Sequence, residues 1–200
     1  LPETWGRAID RAGVLLVDGW SYFHDTPEVI LQGVARAVGA GVPVLFDPGP
    51  RVEAIDRDWL RTITRAAAVI LVTEPEHQAL ARRLDLNDLR SLSALRALIQ
   101  KHGTAGCVIS AGATRLVCPA YPVDAVDATG AGDCFAAGVG WGLLTRQPWE
   151  IIGAVANAVG AAKAMKIGTA LVAPDHDEVS AVLRAHRPDL ARLFEWAGPA

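Results

Sequence analysis

Val42-Pro43-Val44-Leu45-Phe46-Asp47-Pro48-Gly49-Pro50 is an apolar run of strand length stopped by a cluster of turn-forming residues. Helical periodicity follows from Ile55 to Ala67, and then a second apolar run, Val69 to Val72. Both runs are apolar throughout rather than alternating, which is the pattern of parallel strands buried on two faces and joined by crossover helices. Working outward, Val14 to Val17 reads as a strand ending at Asp18-Gly19. A helix then runs from Thr26 as N-cap, with Pro27 as its first residue, to about Gly39. In the other direction Pro75 opens a helix. Ser91 to Lys101 is amphipathic with a stop at Gly103, which predicts another. Cys107 to Ser110 and Arg115 to Val117 flank Gly112-Ala113-Thr114 as strand, turn and strand, which breaks the alternation. Helical patterns from Cys134 to Leu144, Pro148 to Lys166 and Asp175 to His186 complete the chain. The fold class is α/β with a mostly parallel sheet.

The composition agrees. Of 200 residues, 51% are hydrophobic and 20% charged, the balance of a globular core rather than a disordered chain. No internal repeat, low-complexity tract or run of five charges interrupts the sequence, so residues 1–200 are expected to form a single domain. Nineteen basic against 22 acidic side chains give a net charge of −3, with the basic ones scattered, which argues against a nucleic-acid partner. No apolar run reaches the roughly 18 to 20 residues that span a bilayer, so no membrane partner is expected. Cys107, Cys118 and Cys134 lack any Cys-x-x-Cys spacing, and none of the five histidines falls at metal-ligand spacing. A cytoplasmic location is the default. Leu1-Pro2-Glu3-Thr4-Trp5 has neither an initiating Met nor the order of a signal peptide, so the chain is expected to be part of something longer.

The chemistry concentrates in Asp127-Ala128-Thr129-Gly130-Ala131-Gly132-Asp133, a Gly-containing loop followed by an apolar helical pattern. Small residues at Gly130, Ala131 and Gly132 let the backbone approach a ligand, and N–H groups at a helix start converge where its dipole is positive. Such a corner binds phosphate. It has neither the Gly-Lys-Ser/Thr of a P-loop nor the Gly-x-Gly-x-x-Gly of a dinucleotide fold, and its late position disfavours a doubly wound oxidoreductase. Asp133 is either a helix-favouring first-turn charge or a group that serves chemistry on the bound phosphate.

From Asp127 to Gly138 the sequence resembles, nearly position for position, the C-terminal signature of the PfkB, or ribokinase-like, carbohydrate and nucleoside kinases. That resemblance implies a three-layer αβα sandwich and ATP-dependent phosphorylation of a sugar or nucleoside hydroxyl, with Mg2+. It makes Asp133 the general base, and Gly130, Ala131 and Gly132 the donors that hold the transferring phosphate. Phosphoryl transfer is mostly positioning and charge stabilisation, so one carboxylate and a donor-lined corner suit it. Phe46-Asp47-Pro48-Gly49-Pro50-Arg51 resembles the family's Asp-Pro-Asn-x-Arg turn, with Gly49 for Asn. Thr73-Glu74-Pro75-Glu76 falls where the family carries Asn-x-x-Glu, which gives Thr73 to the nucleotide and Glu76 to Mg2+ through water; a solvated first-turn Glu is the alternative. Ser110-Ala111-Gly112 resembles the Thr-x-Gly that touches the nucleotide phosphates. Asn157 borders the adenine by the resemblance, or packs between helices as a buried polar group. Asp127 and Thr129 are the positions for a monovalent cation such as K+, unless Asp127 caps its own turn. Cys134 reads as core, and Trp20, Tyr22 and Phe23 either border a ligand or pack. A homodimer is an oligomer the resemblance allows.

The resemblance covers almost all of the chain but corresponds to the C-terminal two thirds of a family member. The amino-terminal strands, the small β lid and the residues that grip the sugar are not among these 200 residues. A kinase lacking that portion here and a catalytically silent nucleotide-binding remnant are the two readings, and the intact Asp133 favours the kinase.

Overall fold

In the computed structural model, which describes residues 1–24 and 26–192, the α/β reading holds. The chain divides into two compact units, Leu1–His102 with Val108–Leu116, and Gly103–Cys107 with the residues from Val117 onward.

The first unit is built as α1 (Glu3–Asp10), β1 (Leu15–Asp18), α2 (Pro27–Gly39), β2 (Val44–Asp47), α3 (Arg57–Ala66), β3 (Ala67–Thr73), α4 (Glu74–Leu84) and β4 (Ala97–Lys101). Strands β1 to β4 pair in sequence order and in parallel. The six-stranded sheet is completed by β5 (Cys107–Ala111) and β6 (Thr114–Cys118), joined by the turn at Gly112-Ala113. Each helix from α2 to α4 links two neighbouring parallel strands. Such crossovers share one hand, so α2, α3 and α4 pack side by side. Beneath them Val34, Phe46, Leu60, Ile63, Ile70 and Leu80 form the core, and Trp59 meets Tyr22 edge-on at 5.5 Å while donating its indole N–H to Pro27 O. Strand β3 is buried at every residue except Thr73, as its unbroken apolar run requires.

Two boundaries differ instructively from the sequence reading. Helix α3 begins at Arg57 rather than Ile55 because the Asp56 carboxylate accepts the N–H groups of Asp58 and Trp59, both at 2.9 Å, and fixes the N-cap. The helix expected over Ser91 to Lys101 does not form: Leu89–Ser91 is one 3₁₀ turn and Ala97–Lys101 is β4. Leu92, Leu95, Leu98 and Ile99 recur at helical intervals, but burying Ala97-Leu98-Ile99 against β3 satisfies the backbone of a sheet that would otherwise end there.

The second unit is helical: α5 (Ala131–Leu144), α6 (Trp149–Ala164), α7 (His176–His186) and α8 (Pro188–Ala191). Helix α5 packs closely against α6. A Cβ at Gly138 would stand 2.7 Å from Ala156 Cα, and one at Gly142 would stand 2.4 Å from Ile152 Cγ1, so these glycines set the approach. Val155, Ala158, Val182 and Leu183 fill the core behind. Helix α7 starts in a capping box between Asp175 and Glu178.

Candidate active site

In the second unit, α5 starts three residues earlier than the apolar pattern suggested, which places Ala131, Gly132 and Asp133 in its first turn. Gly130 is the N-cap at φ 79°, a left-handed conformation that a side chain would strain. The Ala131 N–H donates to Ala128 O and the Cys134 N–H to Gly130 O, both at 3.0 Å, which closes the turn. The N–H groups of Gly132 and Asp133 have no acceptor inside the helix and point to its positive end. Both residues are exposed, so donors and a carboxylate share one accessible end.

The loop ahead of that turn is stitched to the end of α6. Val126 and Asp127 both donate their N–H to Ala164 O, at 2.8 and 3.1 Å. The Asp127 carboxylate accepts Thr129 N–H through Oδ1 and Gly168 N–H through Oδ2, each at 2.9 Å. These bonds hold its pKa well below the usual carboxylate range, the Thr129 side chain contributing most, then the Gly168 and Thr129 amides. Asp127 thus caps its own turn. The Nζ of Lys163, a residue 1% exposed, donates to Lys166 O at 3.0 Å and to Asp127 O at 3.3 Å.

In the first unit, polar groups gather at the carboxyl ends of β2, β3 and β4, where open parallel sheets bind ligands. Asp47 ends β2, Lys101 ends β4, and Glu76 lies in the first turn of α4 just beyond β3. Lys101 Nζ donates to Asp47 Oδ2 at 2.5 Å and stands 3.9 Å from Glu76 Oε2, with all three side chains largely buried. Glu76 also accepts the Thr73 N–H at 2.6 Å in a capping box. Burial pushes the Asp47 carboxyl up, and Lys101 offsets part of that rise.

The pfkB carbohydrate kinase family model matches residues 7–176. The chain belongs to this family. It is 38% identical over 175 residues to an ATP-dependent ribose-1-phosphate kinase of Halopiger xanaduensis, covering 88% of this chain and 57% of that protein. Among solved structures, a Burkholderia thailandensis nucleoside kinase in complex with inosine superposes with a TM-score of 0.77 at 24% identity, over 92% of this chain and 63% of the other. A ribokinase II of E. coli in complex with ATP and Mg2+ gives 0.74 at 23% identity, over 90% and 61%. The fold is therefore the ribokinase fold, and the chain spans less than two thirds of these relatives' lengths.

In this pfkB-family chain, other residues that the sequence singled out take positions it had left open. Ser110 lies in β5 and Gly112, at φ 56°, in the turn beside it, at the hairpin tip. Asn157 is buried in α6, and its amide donates to Cys118 O at 2.9 Å and Pro119 O at 3.1 Å, so both its N–H groups serve the backbone that leaves β6. Tyr22 and Phe23 pack at 5.3 Å from each other, with the Arg51 guanidinium 4.0 Å over the Phe23 ring. Cys134 is half-buried and burial pushes its thiol up, as a packing residue requires. Asp47, Lys101 and Lys163 are the polar residues that sequence reasoning did not single out. Asp47 was quoted within a turn motif, Lys101 was placed in a helix, and Lys163 carried no signal beyond a charge inside an Ala-rich helical pattern.

Proposed function

We propose that the protein transfers the γ-phosphoryl group of ATP to a hydroxyl of a sugar or nucleoside, with Asp133 as general base and the Gly130–Gly132 corner as anion hole. The observation that carries this reading is the first turn of α5: an exposed carboxylate beside the N–H groups of Gly132 and Asp133, which have no helical acceptor. As the acceptor oxygen attacks phosphorus, its proton passes to Asp133 and the bond to the β-phosphate oxygen of ADP breaks. The Gly132 and Asp133 amides meet the negative charge on the transferring group, fixed in place before the reaction. A carboxylate next to bound phosphate is repulsive, which is acceptable where it takes up a proton in the same step.

Among the described residues, no cluster of three or more His, Cys, Asp or Glu is arranged to hold a metal ion. Mg2+ is commonly held by one or two carboxylates and the substrate phosphates. Glu76, buried with one oxygen on the Thr73 amide, is the carboxylate we assign to its water shell, and Mg2+ would neutralise phosphate charge there. Thr73, Ser110 and Gly112 are assigned to the nucleotide. Relatives named ribose-1-phosphate kinase and nucleoside kinase support an acceptor that carries a pentose ring.

The test is an ADP-release assay on the protein from its complete reading frame, with ribose 1-phosphate, free pentoses, hexoses and nucleosides as acceptors. Asp133→Asn is expected to lower kcat by about 10²- to 10⁴-fold while ATP affinity stays level or rises slightly. A loss smaller than about threefold rules out the base role. Tight Mg-ATP binding without turnover on any acceptor would leave a nucleotide-binding scaffold as the better reading.

A further inference from the structure

Lys163 sits in the last turn of α6, in a stretch otherwise built of Ala, Val, Gly and Asn, and is 1% exposed. An ammonium so placed is costly unless its N–H groups meet acceptors. It meets two carbonyls from different segments: Asp127 O, in the loop that leads into α5, and Lys166 O, in the turn that leaves α6. The carboxyl end of a helix is its negative end, so carbonyls converging there form a cation site. Its stem also flanks the N-cap of α5, since a Cβ built on Gly130 would lie 3.7 Å from Lys163 Cε.

We propose that Lys163 is a tethered cation that shapes the phosphate-binding loop in place of a monovalent metal ion, so that K+ does not activate this protein. Ammonium and potassium ions carry the same charge and are of similar size, and a pair of converging carbonyls accepts either. Here the position is filled from the chain itself. Both oxygens of the Asp127 carboxylate already accept backbone N–H groups, and a free cation beside the Lys163 ammonium would face a like charge. The Asp127 and Thr129 positions therefore do not fit a separate K+ ion. Lys163 is a positioning residue: by holding Asp127 O it holds the loop that sets Gly130, and through Gly130 the amides of Gly132 and Asp133. The link from this clamp to ATP rests on the function proposed above, whereas the occupancy of the carbonyl pair does not.

Two measurements separate those claims, each made in KCl, NaCl and choline chloride at one ionic strength. Thermal unfolding reads the clamp, and Mg-ATP titration with turnover reads its consequence. The wild-type protein is expected to melt, bind and turn over alike in all three salts. Lys163→Met keeps the stem and loses the charge; it is expected to melt lower, to bind Mg-ATP about tenfold more weakly, and to recover both properties in K+ or NH4+ but not in Na+ or choline. A melting temperature of the variant that K+ does not raise above its value in Na+ overturns the proposal, as does stimulation of the wild-type protein by K+. The wild-type arm decides even where the methionine variant fails to fold. If no acceptor is phosphorylated, the function reading fails and the melting arm still tests the tethered cation.

Discussion

Two polar regions of this chain are built in opposite ways. At the carboxyl ends of β2, β3 and β4, Asp47, Glu76 and Lys101 are largely buried and bonded to one another and to backbone. At the start of α5, the Gly132 and Asp133 amides and the Asp133 carboxylate are exposed and have no partner within the helix. The first arrangement stores its cost in burial and recovers it through pairing, so it is sensitive to the loss of any member. The second leaves donors unsatisfied where water or a ligand reaches them, so changes there are expected to act on ligand binding and chemistry more than on stability.

Removing Lys101 is the harshest test of that contrast. Lys101→Met leaves two buried carboxylates facing each other without a cation, and losing one partner of a buried pair costs roughly 3–5 kcal/mol. Some residual exposure, 15% for Lys101 and 12% for Asp47, places the expectation at the lower end. The pH dependence has a definite sign. Burial already raises the Asp47 carboxyl, and losing the cation raises it further. A carboxyl whose folded-state pKa lies above its unfolded value binds its proton more readily when folded, so the penalty is present at neutral pH and fades as pH falls through the folded value. The difference in melting temperature from the wild-type protein should be greatest at neutral to alkaline pH and shrink as pH falls through the acid range. A difference that is constant across that range would show that the cluster is not held by charge.

The corner at α5 is expected to fail differently. Gly132→Val places a β-branched side chain among the donors. With the loss of one oxyanion donor as the scale, it should lower turnover by roughly 10²- to 10³-fold and weaken Mg-ATP. Gly132 is exposed, so the far-ultraviolet circular dichroism and melting temperature should stay close to wild type. Normal turnover in a folded valine variant would reduce the corner to a packing turn and erase the distinction between the two regions.

The same contrast explains what could be read from sequence. The α5 corner was legible because its features are local: glycines for a left-handed N-cap, small residues for close approach and an acid in the first turn all lie within Asp127 to Asp133. Strands β2 and β3 were legible because burial on both faces leaves continuous apolar runs, and β1 because Leu15-Leu16-Val17 is apolar although Leu16 is exposed. The cluster at the strand ends was not, because Asp47, Glu76 and Lys101 come together only through parallel pairing of β2, β3 and β4. Lys101 was further hidden because Leu92, Leu95, Leu98 and Ile99 imitate a helical face. Lys163 escaped for a related reason. Its partners are backbone carbonyls of a loop 36 residues away and of the turn after α6, and carbonyls leave no mark in a sequence.

Asp127 lies between the two extremes and carries the smallest expected effect. It is partly exposed, yet its carboxylate is shared between Thr129 and Gly168, so it resembles the strand-end cluster in bonding and the α5 corner in exposure. Asp127→Asn keeps one acceptor oxygen and loses the charge, and should lower the melting temperature at neutral pH by less than Lys101→Met does. The sign with pH is the reverse of the Asp47 case. Hydrogen bonds hold the folded-state pKa of Asp127 below its unfolded value, so its stabilisation is fully present above the ordinary aspartate pKa of about 3.9 and is lost as pH falls towards the folded value. The gap between wild type and variant should therefore be constant from about pH 6 to 8 and close on acidification below about pH 4. A gap that widens in acid would mean that the carboxylate is not what the Thr129 and Gly168 amides hold in solution, and the turn that sets Gly130 would then need another support.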